Sequence, residues 1–147
     1  MRREEATQQI LAAKQERGLT FTAIAQELGR SKEWATAALL GQAAMNAEEA
    51  ESVINMLELD GAVAQALQEY PMKGSLPDSV PVDPLIYRFH EITQVYGTTL
   101  KALIHEMFGD GIMSAIDFTM SIEKVEDPKG DRVKVTYNGK FLPYKKW

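Results

Sequence analysis

Apolar positions recur along this chain with one period up to about residue 110 and with another beyond it. In the first stretch they return every three to four residues, the spacing of one helix face. That spacing predicts a helix from about Glu4 to Arg17, stopped by Gly18. In LTFTAIAQELG, residues Phe21, Ile24, Ala25 and Leu28 share a face, and Gly29 ends the segment where a left-handed residue is favoured. Ser31 is placed to cap KEWATAALL, which Gly41 closes. Asn46 followed by Glu49 is a capping-box pattern opening AEEAESVINML, and a last helix of this group follows Asp60 to about Tyr70.

Between Pro71 and Pro84 the composition changes. PMKGSLPDSVPVDP holds four of the six prolines with Gly and Ser, and cannot hold a helix. Asp83 then caps a helix that Pro84 opens at the position where its missing N–H costs nothing. Leu85, Phe89, Ile92 and Tyr96 form one stripe, and Gly97 is expected to interrupt it before a second helix, about Thr99 to Phe108. After GDG the period falls to two: Ile116, Phe118, Met120 and Ile122 alternate with polar residues, as do Val133, Val135 and Tyr137. DPKGD predicts one turn, and Asn138-Gly139 a second, two-residue hairpin turn into KFLPY. A sheet of about three strands is marginal by itself, so helices or another subunit must complete it. The expected class is α+β. An all-helical domain over residues 1–70 is followed by a linker over 71–84 and a small helix-plus-hairpin domain over 85–147.

Composition narrows the chemistry. With 147 residues, 45% hydrophobic and 25% charged, this is ordinary globular material. MRREEATQQI carries no apolar run and does not read as a secretory leader, and no stretch is long enough to span a bilayer, so the expected place is the cytoplasm. The absence of cysteine removes disulfides, thiol nucleophiles and thiolate-bound zinc. Charge is uneven: residues 1–70 hold six Lys and Arg against eleven Asp and Glu, whereas 71–147 hold ten of each.

Four motifs offer chemistry. FTAIAQELGRSKEWATAALLG resembles a repressor-type helix-turn-helix, and a DNA-binding regulator is the alternative function it suggests. Its second helix offers Lys32, Glu33, Trp34 and Thr36 but no Arg, Asn or Gln for bidentate base contacts, and its half of the chain has the wrong net charge for phosphate. HEITQ and HEMFG begin like a zinc-binding HExxH, but Gln94 and Gly109 stand where the second histidine is needed, leaving His90 and His105 without their pattern. Arg88 and Glu91 lie three apart at the edge of the apolar stripe; spacing alone makes them a surface ion pair. In GDGIMSAI, glycines flank Asp110, and Ser114 follows with a hydroxyl and neighbouring N–H groups suited to an anion. No Ser-His-Asp pattern makes this serine a nucleophile.

YRFHEITQVYGTTLKALIHEMFGDGIMSAIDF, with the later NGKFLPYKKW and the earlier TAALLGQ, resembles the cyanate lyases, or cyanases, over essentially the whole chain. The resemblance implies conversion of cyanate and bicarbonate to carbamate and carbon dioxide, the carbamate then giving ammonia and more carbon dioxide. It implies that Arg88, Glu91 and Ser114 are the catalytic residues, and that no metal or cofactor is needed, bicarbonate being a co-substrate. It further implies a homodecamer of five dimers with sites at subunit interfaces, so that residues 85–147 serve both catalysis and dimerisation. Neither nucleic acid nor membrane is an expected partner.

Overall fold

A computed structural model of the chain describes residues 1–76 and 79–147; Pro77 and Asp78, inside the stretch read as a linker, lie outside the described residues. The described residues divide into two compact units, Met1–Ser75 and Leu76–Trp147.

The first unit is five helices: α1 (Arg3–Glu16), α2 (Phe21–Leu28), α3 (Lys32–Leu39), α4 (Ala47–Leu57) and α5 (Gly61–Gln68). Each start after the first is set by a side chain that accepts an otherwise unpaired backbone N–H: Thr20 from Ala23, Ser31 from Trp34, Asn46 from Glu49 and Asp60 from Ala62. Ile10, Ile24, Leu39, Val53, Leu57, Val63 and Leu67 are the largest fully buried side chains and make one core. Gly29, at φ 64°, makes the left-handed turn between α2 and α3. Glu49 ties that pair to α4: one carboxylate oxygen accepts from the Asn46 N–H at 2.9 Å and the other from Arg30 Nε at 2.5 Å. Lys73 and Gly74, in the proline-rich stretch, donate to the Gln42 carbonyl and side chain at 2.8 and 2.7 Å.

Arg3 holds this unit together from a different direction. Its guanidinium donates to the carbonyls of Ala38 and Ala43, each at 2.8 Å, and to that of Ala66. Ala38 and Ala66 lie in the last turns of α3 and α5, where carbonyls run short of i+4 partners and carry the negative end of the helix dipole; that of Ala38 also accepts from the Gly41 N–H at 3.0 Å. One cation thus joins the start of α1 to two helix ends, and burial pulls its pKa below the ordinary arginine range. Arg3→Met should keep the aliphatic packing but remove a donor from three carbonyls, of which that of Ala38 keeps the Gly41 N–H. The expected cost is about 2 to 3 kcal/mol in the denaturant stability of this unit, read by chemical unfolding of the full chain.

The second unit is one helix and one hairpin: α6 (Pro84–Phe108), β1 (Gly111–Val125) and β2 (Arg132–Pro143). Three expectations are corrected here. Gly97 does not break the helix, which runs unbroken for 25 residues. A single glycine costs only about 1 kcal/mol relative to alanine inside a helix, less than the flanking turns supply. The sheet has two strands rather than about three. Finally, Asn138-Gly139 is not a turn: both residues are inside β2, paired with Thr119 and Phe118. The one hairpin turn is at Asp127–Gly130, where the Gly130 N–H donates to the Asp127 carbonyl at 3.0 Å.

Gly139 serves the opposite strand instead. Pairing runs from Gly111↔Pro143 to Met113↔Phe141 and resumes at Phe118↔Gly139, so four residues of β1, Ser114–Asp117, bulge against Lys140 alone. A side chain at Gly139 would collide with the Ser114 carbonyl and the Met113 side chain, the carbonyl being backbone that cannot swing aside. Gly139→Ala should therefore displace the bulge. Hydrogen exchange of peptides spanning residues 113–118, followed by mass spectrometry, should show faster exchange at Ile116 and Asp117, and thermal stability should fall by about 1 to 3 kcal/mol.

Candidate active site

Arg88 is in the second turn of α6. The helix start is fixed by Asp83, whose carboxylate accepts from the Leu85 and Ile86 N–H groups at 2.9 Å, with Pro84 in the first turn. From there the helical period carries Arg88 onto Glu91, Nη1 donating to Oε2 at 2.7 Å. The two side chains are 58% and 45% exposed, so the pair adds little to stability. Nε and Nη2 of Arg88 have no partner among the described residues and remain available as a planar two-point donor. Leu85, Phe89, Ile92 and Tyr96 run beside the pair as an exposed apolar stripe.

Ser114 stands elsewhere in the unit and in a different setting from the expected one. It belongs to β1, at the head of the bulge, rather than to a glycine-rich turn. Only 6% exposed, its Oγ accepts from the N–H groups of Ile116 at 3.1 Å and Asp117 at 2.9 Å. Neighbouring N–H groups expected to meet an anion are thus spent on the serine itself. The consequence is chemical: with both acceptor positions engaged, the hydroxyl proton is what Ser114 has left to offer. It is a committed donor. Gly139, which this arrangement requires, escaped the sequence reading because Asn-Gly signals a turn more often than a close strand approach.

The structure joins Arg88 to Glu91 but brings neither into contact with Ser114 within one chain. Twenty helical residues separate Arg88 from Phe108, about 30 Å along the axis, before the chain turns toward β1.

The two histidines do not make a metal site together. They are fifteen residues apart on one helix, about 22 Å. His105 has both ring nitrogens occupied, by the Gly109 carbonyl at 2.9 Å and Lys101 Nζ at 2.7 Å. Among the described residues no group of three His, Asp or Glu side chains could hold a metal ion, and no helix is long and apolar enough to cross a membrane. In the helix-turn-helix, Arg30 is drawn over the Trp34 ring at 5.0 Å and onto Glu49.

Comparison with known proteins follows this division of the chain. Residues 3–71 match the family described as cyanate hydratase, N-terminal, and residues 78–146 match the cyanate lyase C-terminal domain. A cyanate hydratase of Synechococcus sp. (strain CC9311) is 58% identical over 141 residues, 96% of this chain and 94% of the relative. Another, of Ralstonia pickettii (strain 12J), is 56% identical over 145 residues, 99% of both. The crystal structure of cyanase from T. urticae superposes with a TM-score of 0.80 at 40% identity, covering 95% of this chain and 97% of that one. Matched in both parts and along its length, the chain belongs to the cyanate lyase family.

Proposed function

We propose that this protein decomposes cyanate in a bicarbonate-dependent reaction, and that Arg88, Glu91 and Ser114 carry it. The supporting observation is the pair of idle donors in a chain of this family: an arginine with two free guanidinium nitrogens and a buried serine left only with a proton to give.

Both substrates are small anions. In water at 4 Å their repulsion is about 1 kcal/mol, and it grows as the dielectric falls. Arg88 offsets it by binding both in a planar fork, and Ser114 donates to an anionic oxygen. Glu91 holds the Arg88 side chain to one face of the helix. A bicarbonate oxygen attacks the cyanate carbon, forming a new C–O bond. The cyanate nitrogen takes the bicarbonate proton and one from solvent. The bond between the bridging oxygen and the former bicarbonate carbon then breaks, releasing carbon dioxide and leaving carbamate. Carbamate takes up two more protons to give ammonium and a second carbon dioxide. Holding the reactants in attack geometry supplies roughly 7 to 11 kcal/mol, so the scheme calls on neither metal, cofactor nor covalent intermediate.

A further part of the proposal is assembly. One chain brings Arg88 and Glu91 together but leaves both half open to water, with Ser114 apart and the α6 stripe exposed. A homo-oligomer, a decamer of five dimers, would cover that stripe and let residues of different copies converge. Regulation by DNA binding finds less support: the first half is net acidic and Arg30, beside its turn, is engaged by Glu49 and Trp34.

Ammonia release from cyanate should require bicarbonate. Arg88→Leu should abolish it in an oligomer of unchanged size, and Arg88→Lys should restore little, because a single ammonium cannot make the two-point contact. Turnover by an intact Arg88→Leu oligomer would overturn the site assignment. Analytical ultracentrifugation should find the active species as a large oligomer, with activity lost on dilution or chaotrope treatment that yields free chains. A fully active monomer would exclude the interface site.

A further inference from the structure

We propose that Tyr87 is a positioning residue for Arg88, its ring forming the platform on which the guanidinium is held for the anions; this rests on the reading of Arg88 given above. The Arg88 guanidinium carbon lies 5.6 Å from the centre of the Tyr87 ring, within the range of a cation–π contact. Glu91 grips the same guanidinium through Nη1 at 2.7 Å. A carboxylate alone leaves an exposed arginine free to swing about that one bond. A ring face added to it removes a second degree of freedom while consuming no N–H donor, so Nε and Nη2 stay open.

The ring is itself restrained. Tyr87 is half-buried, and His90 packs against it with ring centres 5.9 Å apart at 40°. By helical spacing His90 and Arg88 fall on opposite sides of Tyr87, so the histidine backs the platform. The His90 Nε2 atom is buried without a hydrogen-bond partner.

The contact belongs to the ring face and not to the phenol oxygen, which makes the proposal sharp. Tyr87→Phe should preserve it, whereas Tyr87→Leu and Tyr87→Met remove the π face at similar bulk. Azide, a linear anion isoelectronic with cyanate, serves as an unreactive probe. In the intact oligomer, the Leu and Met variants should bind azide about 3- to 30-fold more weakly and lose kcat/KM for cyanate in step, while Phe stays within about two-fold of the parent. A variant that merely lowers the amount of folded enzyme would leave the azide inhibition constant unmoved. Unchanged azide inhibition in the Leu variant would overturn the proposal. So would a Phe variant as impaired as Leu, or failure of both Leu and Met to assemble, which would make Tyr87 a packing residue. Arg88→Leu in the same assay separates the two ideas: if it turns over cyanate the site reading fails, and if it is dead while Tyr87→Leu is normal only the platform fails.

Discussion

An uncovered apolar face on α6 is the constraint on which the second unit turns. The helix has 25 residues and none of them is buried, and Gly111 and Ser114 are the buried residues among those described in the unit. Leu85, Phe89, Ile92, Tyr96, Leu100, Leu103 and Met107 are all exposed, following one another at steps of three and four. Their mean spacing is close to the natural helical period, so the stripe runs nearly straight along the helix rather than winding round it. At about 25 cal/mol per Å² of apolar surface, water is a poor neighbour for such a face. A two-stranded hairpin cannot supply the missing cover, being marginal on its own. The first unit meets the same demand in the ordinary way, with five helices, four of them opened by a side-chain cap, closed over a core of Ile, Leu and Val.

That contrast governs where chemistry can sit. In the helical unit the polar groups with close partners are consumed by architecture: Arg3 by helix-end carbonyls, Arg30 and Glu49 by each other and by a cap. In the second unit Arg88 retains free donors because no packed neighbour claims them. Ser114 is the exception: its two accepted hydrogen bonds come from its own strand, in a bulge that the close approach of Gly139 on β2 permits. In the proposed role, a hydroxyl oriented in this way is organised before a substrate arrives, which would spare the reaction that reorganisation.

What the amino-acid sequence disclosed follows the range of the interactions. Ser31, Asn46 and Asp83 act within three residues of themselves, and their caps were legible one by one. The Arg88–Glu91 contact was legible for the same reason. Gly97 and Asn138-Gly139 were misread because their meaning depends on partners far along the chain. A glycine that looks like a helix break is tolerated inside a long helix, and an Asn-Gly that looks like a turn faces a bulge 25 residues away in sequence, at Ser114. The state of the Ser114 hydroxyl was illegible for the same reason, since only the bulge folds the Ile116 and Asp117 N–H groups back onto it. Spacing could not raise Arg88 and Glu91 above a surface pair; the family resemblance did that.

The weakness of that pair as a stabilising contact would suit it to the proposed catalytic role. Half exposed, Arg88 and Glu91 are screened by water and contribute little to folding, so little stability is forfeited when the guanidinium turns part of its field to a substrate. Burial changes the balance. Once a covering surface removes water, each remaining charge interaction strengthens, and the arithmetic of charge becomes strict. One arginine with its own glutamate is neutral, and two anionic substrates would leave the site two charges negative. A second unpaired guanidinium is needed to approach neutrality, and the residues flanking Arg88 from Asp83 to Tyr96 include no other Lys or Arg. The surface that buries the α6 stripe would therefore have to bring positive charge not already matched by a carboxylate; a second copy of this helix would cover the stripe and add guanidinium donors, but with its own Glu91 it adds no net charge.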